Sequence, residues 1–188
     1  MTRARPHVLG IDDGPFEKRG TRPAPIVGVM MEGADLVEAI AVTEFPIDGD
    51  GAAEFLGEWV AGLRLHPSLQ AIVLGGVTIA GLGVVDVEAL AARLRTPVLV
   101  VNRRDPARAR VADALVAAGL STRLAILERT PPAFPIARGL WLACAGASPA
   151  DAEALALACL RKSQVPEPLR VAHLVARALA AGESRGRP

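Results

Sequence analysis

Three β-rich runs open the sequence before any helical pattern appears, and this order limits the folds available to the chain. The runs lie at 8–11, 26–31 and 36–45. The turn Glu32-Gly33-Ala34-Asp35 separates the second run from the third, a pattern typical of an antiparallel hairpin. Three strands therefore come first, and the hairpin makes the last two of them neighbours.

Helical and strand patterns alternate after a second acidic turn, Ile47-Asp48-Gly49-Asp50-Gly51. Apolar stripes that include Leu56 and Leu90 predict helices, and the unbroken apolar runs at 71–74 and 98–101 predict parallel strands covered on both faces. The sequence therefore predicts an α/β fold with a mixed sheet, in which the first three strands are antiparallel and the later strands parallel, with helices on both faces. That is the order of ribonuclease H-like folds.

The C-terminal half carries three further helix signals and two more strand candidates. Asp105-Pro106, Ser148-Pro149 and Pro166-Glu167-Pro168 each predict a helix that starts there or directly after. The segments 123–127 and 140–144 predict strands, and the proline-rich segment 129–139 predicts a loop. No internal repeat or long linker divides the chain, so we expect residues 1–188 to form a single domain.

Composition and charge are those of an ordinary soluble α/β protein. Hydrophobic residues make up 51% and charged residues 22%, which excludes a disordered chain. The net charge of +1 implies no whole-molecule attraction to nucleic acid or anionic lipid, so any basic patch must be local. No secretory signal or membrane span is visible, and Cys144 and Cys159 lack the spacing of a paired-thiol or metal site. We therefore expect a cytoplasmic protein without a membrane partner.

Two adjacent carboxylates end the first strand, at the edge of the sheet where sites tend to lie. Asp12 and Asp13 follow the apolar run, and Gly14-Pro15 breaks the strand directly after them. Successive strand residues point to opposite faces, so only one of these acids can face a given site. The alternative is that either acid only shapes the turn by accepting backbone N–H groups. We predict Asp12 as the working acid.

Three later acids are candidates for joining Asp12 around a divalent cation. Asp48, Asp50 and Asp86 would supply further oxygen ligands for Mg²⁺ or Mn²⁺ in a phosphodiesterase, because a lone carboxylate holds Mg²⁺ poorly. Each also has a structural interpretation. Asp48 lies in an Asp-Gly turn, and Asp50 and Asp86 precede helices as N-cap candidates. For Asp48 and Asp86 we favour the structural interpretation.

Basic side chains occur at two places suited to phosphate or nucleic acid. Arg103 and Arg104 directly follow a predicted parallel strand, where ligands meet open α/β sheets. Arg170 and His173 share one face of the last predicted helix with Arg177, which is also the pattern of a solvated helix face. His173 is in addition a candidate general base.

Phe16 is the aromatic residue beside the acidic turn. It would contact a base or wedge a duplex, and packing is the alternative role. Gly81-Leu82-Gly83 follows a strand like a dinucleotide-binding loop but lacks the third glycine. The sequence contains no Gly-x-Ser-x-Gly, His-Glu-x-x-His or Walker-type motif, which leaves serine hydrolase, zinc protease and P-loop chemistry without support.

Six segments together resemble one uncharacterised protein family, the domain of unknown function 99, whose fold is similar to that of endonuclease V. They keep their order and span nearly the whole chain. The segments are Gly10-Ile11-Asp12-Asp13-Gly14-Pro15-Phe16, Asp48-Gly49, Gly76-Val77-Thr78 with Ala80-Gly81, Val84-Val85-Asp86, Arg129-Thr130-Pro131-Pro132 and Pro166-Glu167-Pro168-Leu169-Arg170-Val171-Ala172-His173.

The resemblance implies a ribonuclease H-like, endonuclease V-like architecture and, by analogy, metal-assisted cleavage of a nucleic-acid backbone. In endonuclease V a carboxylate closes the fourth strand, whereas this chain has Gly75 there, and Gly51 stands where the family more often has Asp. Two other hypotheses stay open. One is a catalytically degenerate module of the same fold that binds nucleic acid or protein, and the other is a small-molecule phosphate-binding enzyme that uses the glycine loop and Arg103.

Overall fold

A seven-stranded sheet forms the centre of the computed structural model, which describes residues 5–17, 22–106 and 108–184. The strands in chain order are β1 (His7–Asp13), β2 (Ala24–Glu32), β3 (Leu36–Phe45), β4 (Ala71–Leu74), β5 (Thr78–Ile79), β6 (Gly83–Val84), β7 (Val98–Asn102), β8 (Phe134–Ala137) and β9 (Leu140–Ala145). The sheet has the spatial order β3-β2-β1-β4-β7-β9-β8, and β5 and β6 form a separate small hairpin.

The strand directions match the prediction for the first five strands of the sheet and differ for the last two. β1, β2 and β3 are antiparallel, and β4 lies parallel between β1 and β7. β9 runs antiparallel to β7, and β8 forms a hairpin with it. The sheet is therefore mixed, but its parallel part is limited to β1, β4 and β7, whose carboxyl ends meet at one edge.

Helices cover both faces of the sheet, as predicted. They are α1 (Ala52–Ala61), α2 (Val87–Leu94), α3 (Arg108–Ala117), α4 (Leu124–Arg129), α5 (Pro149–Ala158) and α6 (Glu167–Ala181). α1 and α2 pack on one face, and α5 and α6 pack on the other. Within the described part of the chain, no helix combines the length and apolar character needed to cross a bilayer.

Small residues bring α6 against the end of β1. Ala172 and Ala176 are fully buried under the sheet. A Cβ atom at Gly10 would lie 2.2 Å from the backbone nitrogen of Leu169, so only glycine allows this approach. Because α6 lies so close to β1, the helix residues one turn further on, including His173, reach the carboxyl end of the strand.

Two predicted elements are wrong in the segment 121–139. The predicted strand at 123–127 is a 3₁₀ turn (Ser121–Arg123) followed by α4, because a short apolar run fits a helix as well as a strand. The predicted loop at 129–139 contains β8. Pro135 is tolerated in β8 because that strand lies at the edge of the sheet.

The helix starts show which of the predicted caps form. Asp86 caps α2, and Ser148 caps α5 by accepting the N–H of Asp151. Asp50 does not cap α1, because Gly51 in the left-handed conformation (φ 69°) takes the N-cap position. Asp105-Pro106 precedes α3, which is described from Arg108, so its predicted role as the helix start stays a prediction.

Candidate active-site cleft

A cleft lies at the carboxyl ends of β1, β4 and β7, under the first turns of α6. Its volume is about 410 Å³. It gathers four of the predicted site residues, Asp12, Arg103, Arg170 and His173, with six others. The remaining lining residues are Gly75, Val101, Asn102, Leu140, Val165 and Leu169. The carboxyl ends of parallel strands are the usual place for ligands in open α/β sheets, so the topology supports a site here.

Asp12 and His173 form a hydrogen-bonded pair in this cleft. The distance from His173 Nδ1 to Asp12 Oδ2 is 2.6 Å, and the side chains are 35% and 20% exposed. An ionised carboxylate only accepts hydrogen bonds, so Nδ1 donates, and in a neutral imidazole Nε2 is then the acceptor. Burial raises the pKa of Asp12 to about 6, although the hydrogen bond from His173 acts in the opposite direction.

A buried glutamate holds Arg170 in place. Glu167 Oε2 accepts hydrogen bonds from Arg170 Nε at 2.8 Å and Nη2 at 2.6 Å. Its other carboxylate oxygen accepts the backbone N–H of Lys162 at 3.2 Å, and the side chain is only 5% exposed. The pair fixes one edge of the guanidinium group and leaves Nη1 outside these bonds, which suits Arg170 to bind an anion in the cleft.

Asp13 faces the opposite side of the sheet, as the strand alternation predicted. Its Oδ2 atom accepts the backbone N–H of Ala80 at 2.6 Å, and Ala80 has a positive φ of 47°. Burial raises the pKa of Asp13 as well. The turn-bracing interpretation therefore applies to Asp13 and the cleft interpretation to Asp12.

Asp48 and Asp50 support the turn between β5 and β6. Asp48 Oδ1 accepts the N–H of Leu82 at 2.7 Å. The buried Arg123 donates to the carbonyl oxygens of Leu82 and Asp48 at 2.7 and 2.8 Å and lies 3.5 Å from the Asp50 carboxylate. The N–H groups of Ala80 and Leu82 therefore have carboxylate partners and are not free to cradle a phosphate.

Asp86 has the structural role that we favoured. Its Oδ1 atom accepts the N–H of Ala89 at 3.0 Å, and Oδ2 accepts from Arg129 at 2.6 Å. Partial burial acts to raise the pKa of Asp86, but the hydrogen bonds from Arg129 and Ala89 outweigh it and lower that pKa. In residues 5–17, 22–106 and 108–184, no group of three or more His, Cys, Asp or Glu side chains is placed to hold a metal ion. The four predicted acids are therefore not assembled into one site.

The other two residues predicted to contact phosphate or nucleic acid, Arg104 and Phe16, do not line the cleft. Arg104 is exposed beside Arg103, and Phe16 packs against the main core near Gly81, so packing is the role it has here. Arg177 is partly buried, and its Nε atom has no hydrogen-bond partner in the described structure. The face shared by Arg170 and His173 points into the cleft instead of into solvent.

A second pocket adjoins the cleft, and the sequence reasoning missed it. Its volume is about 240 Å³, and Gly75 and Asn102 line both cavities. The remaining lining residues are Gly76, Val77, Thr78, Val100, Pro106, Arg108, Val111, Leu127, Thr130, Pro131, Ala133 and Ala143. The available signal was Asn102, a polar residue that ends an otherwise apolar parallel strand. Glu167 was also missed as a functional residue, although it lies in the unusual Pro-Glu-Pro segment.

Comparisons with solved structures support the architecture. A protein of unknown function from Archaeoglobus fulgidus superposes with a TM-score of 0.85 and 32% identity, covering 93% of this chain and 98% of that chain. Endonuclease V of Ciona intestinalis, solved in complex with a 24mer DNA containing an inosine followed by a ribo-adenosine, gives a TM-score of 0.56 at 14% identity, covering 89% and 82%. At that identity the likeness concerns the fold alone, and at that level the predicted relation to endonuclease V is confirmed.

Comparisons of sequence identify the family. UPF0215 proteins of Methanothermobacter thermautotrophicus and Deinococcus radiodurans are 35% and 37% identical to this chain over 183 residues, which cover 95% and 96% of this chain and 90% and 92% of the relatives. The family model described as endonuclease dU matches residues 4–180. Whether this family is the predicted domain of unknown function 99 stays a prediction. On these matches, the chain belongs to the endonuclease dU family.

Proposed function

We propose that this protein cleaves the phosphodiester backbone of DNA at deoxyuridine and that the cleft around Asp12 is its active site. One observation carries the proposal: the Asp12–His173 pair and the clamped Arg170 line the same cleft. The family description names deoxyuridine, and the Ciona endonuclease V that shares the fold was solved with DNA. We also infer a ribonuclease H-like fold, because three antiparallel strands lead into the parallel strands β4 and β7.

His173 is the general base of the proposed reaction. Asp12 accepts the Nδ1–H and so holds the imidazole in the tautomer whose Nε2 atom accepts a proton. Nε2 takes a proton from water while the water oxygen forms a bond to phosphorus. The bond from phosphorus to the leaving ester oxygen breaks, and that oxygen takes a proton from solvent. A buried aspartate that orients a histidine is an established arrangement for general base catalysis.

Arg170 and Arg103 bind the phosphate that is cleaved. Arg170 is held in position by Glu167 before substrate binds, so little side-chain freedom is lost when it contacts the phosphate oxygens. Arg103 is exposed at the rim of the same cleft, where it contacts the phosphate backbone of the bound DNA strand. Exposed Arg104, the next residue, extends the basic rim away from the cleft and adds sequence-independent attraction to DNA.

Mg²⁺ or Mn²⁺ is the cofactor that we propose, with Asp12 as its protein ligand. The donor set does not fit a resident two-metal centre, because Asp13 faces the turn and Gly75 has no side chain to offer. A lone carboxylate holds Mg²⁺ poorly, so a single ion at Asp12 would bind together with the substrate, whose phosphate and water would complete its shell. When bound, the ion would neutralise negative charge on the phosphate.

A non-catalytic module that binds nucleic acid is the second candidate. It is favoured by one observation, the glycine at position 75. A Cβ atom at Gly75 would lie 3.7 Å from Asp12 Oδ1, so a carboxylate at this position would face Asp12, and this chain has none. The fold would then bind DNA through its arginines without cleaving it.

The test is a cleavage assay on matched oligonucleotides. Single-stranded and duplex DNA containing one deoxyuridine, one inosine or only normal bases are incubated with the protein in Mg²⁺, Mn²⁺ or EDTA. We expect cleavage at deoxyuridine in the presence of a divalent ion and its loss in Asp12→Asn. Binding without cleavage of any substrate would support the non-catalytic module, and equal cleavage by Asp12→Asn would overturn the proposed site.

A further inference from the structure

We propose that the pocket beside the cleft receives the uracil base, flipped out of the DNA strand, while the adjoining phosphate lies in the cleft. This inference rests on the proposed function and adds the residues that recognise the base. They are Thr130, Asn102 and Arg108. Enzymes that act at a single base in DNA commonly extrude that base into a pocket and contact its Watson–Crick edge.

The position of the pocket suits a nucleotide that spans two cavities. Gly75 and Asn102 line the cleft and the pocket alike, so the two cavities adjoin at these residues. A Cβ atom at Gly76 would have no heavy atom within 4 Å, and Gly75 has no side chain to narrow the boundary near Asp12. The two glycines after β4 therefore place no side chain between the position of the reacting phosphate and that of the base.

The buried hydroxyl group of Thr130 indicates that a ligand binds in the pocket. The residue is 6% exposed, and its Oγ1 atom is buried without a hydrogen-bond partner in the described structure. Thr96 is also 6% exposed, but its Oγ1 atom donates to the carbonyl oxygen of Leu94 at 3.1 Å. Buried hydroxyl groups are rarely left unpaired, because doing so is unfavourable. A bound base with a carbonyl group would supply the partner that Thr130 lacks.

Asn102 and Arg108 add donors that distinguish uracil from cytosine. Asn102 is half-buried and lines the pocket, and its side-chain amide carries a donor and an acceptor that match a carbonyl oxygen and N3–H of the base. Arg108 donates to the carbonyl oxygen of Pro131, which holds its guanidinium group at the pocket wall. Uracil presents two carbonyl acceptors around N3–H, whereas cytosine presents an amino donor that a guanidinium group cannot accept.

Apolar side chains form the rest of the pocket. Val77, Val111 and Leu127 line it together with Ala133 and Ala143. Leu127 is buried, and Val77 and Val111 pack in the same apolar cluster, so the wall is fixed before a ligand binds. A flat base with polar groups on one edge matches a pocket that is apolar on most sides and has a few donors at one end.

The test measures binding in the Asp12→Asn protein, which keeps the pocket but does not cleave. The probes are one oligonucleotide with deoxyuridine, the same strand with deoxycytidine or an abasic analogue at that position, and free deoxyuridine. We expect the deoxyuridine strand to bind at least about tenfold more tightly than the abasic strand. Adding Thr130→Val should lower this ratio about tenfold, and Asn102→Ala should lower the preference for uracil over cytosine.

Thr96→Val is the matched control because it removes an equally buried hydroxyl group outside the pocket. We expect it to lower the Tm and leave the binding ratio unchanged, whereas Thr130→Val should leave the Tm unchanged or raise it. An unchanged ratio in Thr130→Val, or a Tm loss like that of Thr96→Val, would overturn the pocket assignment. Free deoxyuridine binding as tightly as the strand would overturn a polynucleotide as its ligand.

The failure of this inference can be told apart from failure of the proposed function. If the wild-type protein cleaves at deoxyuridine and Thr130→Val keeps the full binding ratio, only the base pocket is wrong. If the wild-type protein cleaves nothing but binding to the deoxyuridine strand depends on Thr130, the pocket stands and the cleavage reaction is wrong.

Discussion

The two faces of the sheet at the end of β1 use their carboxylates in different ways. On the face covered by α6, which we call the cleft face, Asp12 is paired with a histidine and lines a cavity. On the other face, which we call the turn face, Asp13, Asp48 and Asp86 accept backbone N–H groups of the turn 75–86 or of α2. Adjacent residues of one strand thus supply one candidate catalytic acid and one structural acid.

The difference between the faces is energetic as well as geometric. The Asp86 carboxylate has an arginine partner, and its pKa is lowered, so its ionised form stabilises the fold. Burial raises the pKa of Asp12 to about 6. Ionisation of Asp12 in the folded protein therefore lowers the free energy of unfolding. Groups whose pKa is strongly shifted by burial in a cleft are more often functional than groups that are satisfied by their own turn. The comparison of Asp12 with Asp48 and Asp86 therefore predicts opposite effects on stability, whereas Asp13 shares with Asp12 a pKa that burial raises.

Asp12→Asn should have the largest effect on activity. An asparagine amide can also donate to Nδ1, so His173 is no longer held in the tautomer whose Nε2 accepts a proton, and the proposed cation loses its charged ligand; we therefore expect cleavage at deoxyuridine to fall by about 10²–10⁴-fold. The measurement is the single-turnover rate on a deoxyuridine oligonucleotide. Asp13→Asn is the matched control, because the side chain stays isosteric and can still accept the N–H of Ala80. A similar loss in both variants would mean that the two faces do not differ in function.

Arg170→Lys should have the next largest effect, a fall in rate of about 10–100-fold. Lysine keeps the charge that pairs with the buried Glu167, but it lacks the planar fork that can bind Glu167 and a phosphate at once. The same single-turnover assay gives the rate, and thermal unfolding checks that the fold is kept. Arg161→Lys serves as the control and should leave the rate unchanged, because the exposed Arg161 pairs with Asp35 and does not line the cleft. An unaltered rate in Arg170→Lys would remove Arg170 from the phosphate site.

Stability should change in opposite directions on the two faces. A raised carboxyl pKa means that the folded protein keeps the proton of Asp12 to higher pH than the unfolded chain. The contribution of this group to the free energy of unfolding is therefore fully present below pH 3.8 and is lost as the pH rises through about 6. Asp12→Asn removes the ionisation, so we expect it to stabilise the protein by about 1–3 kcal/mol above pH 6 and not below pH 3.8.

Asp48→Ala is the counterpart on the turn face, and we expect it to destabilise by about 1–3 kcal/mol because the N–H of Leu82 loses its acceptor. Asp48→Asn should have a smaller effect, since asparagine can accept the same bond and tolerates the positive φ of 52° at this position. Denaturant unfolding at several pH values measures both variants together with Asp12→Asn. Stabilisation by Asp48→Ala, or destabilisation by Asp12→Asn at high pH, would contradict the energetic difference between the faces.

Two helix caps could be predicted from the sequence, and so could the placement of Asp12 and Asp13 on opposite faces of the sheet. The period of two along β1 placed Asp12 and Asp13 on opposite sides, and the Asp86 and Ser148 caps followed from residue type and spacing. The structure of segment 123–127 did not follow, because its four apolar residues, at 124–127, are too few to separate the helical period from the strand period.

The partners of the candidate site could not be predicted, because they depend on distant parts of the chain meeting in space. Asp12 and His173 are 161 positions apart, and no local pattern encodes their contact. The face of α6 that carries Arg170 and His173 looks solvated in sequence. It turns into the cleft because the backbone at Pro168 and Leu169 packs against Gly10 and the small residues Ala172 and Ala176 are buried under the sheet. The orphaned hydroxyl of Thr130 is visible only when its surroundings are known.

Substitutions of Asp86 should have the smallest effects on stability and activity. They still distinguish the role of Asp86 as a helix N-cap from a role as a metal ligand. As an N-cap, Asp86→Ala should destabilise by about 0.5–2 kcal/mol through loss of the bond to Ala89. Asp86→Asn keeps a capping oxygen and loses only the ion pair with Arg129, whose side chain is 54% exposed, so its effect should be at most about 1 kcal/mol. Neither variant should alter the single-turnover rate, since stability and chemistry are separate on the turn face. A metal ligand would show the reverse pattern. Asp86→Asn would then slow cleavage while hardly changing the Tm. Asp86 would in that case belong to the catalytic site together with Asp12, and not to the structural acids of the turn face.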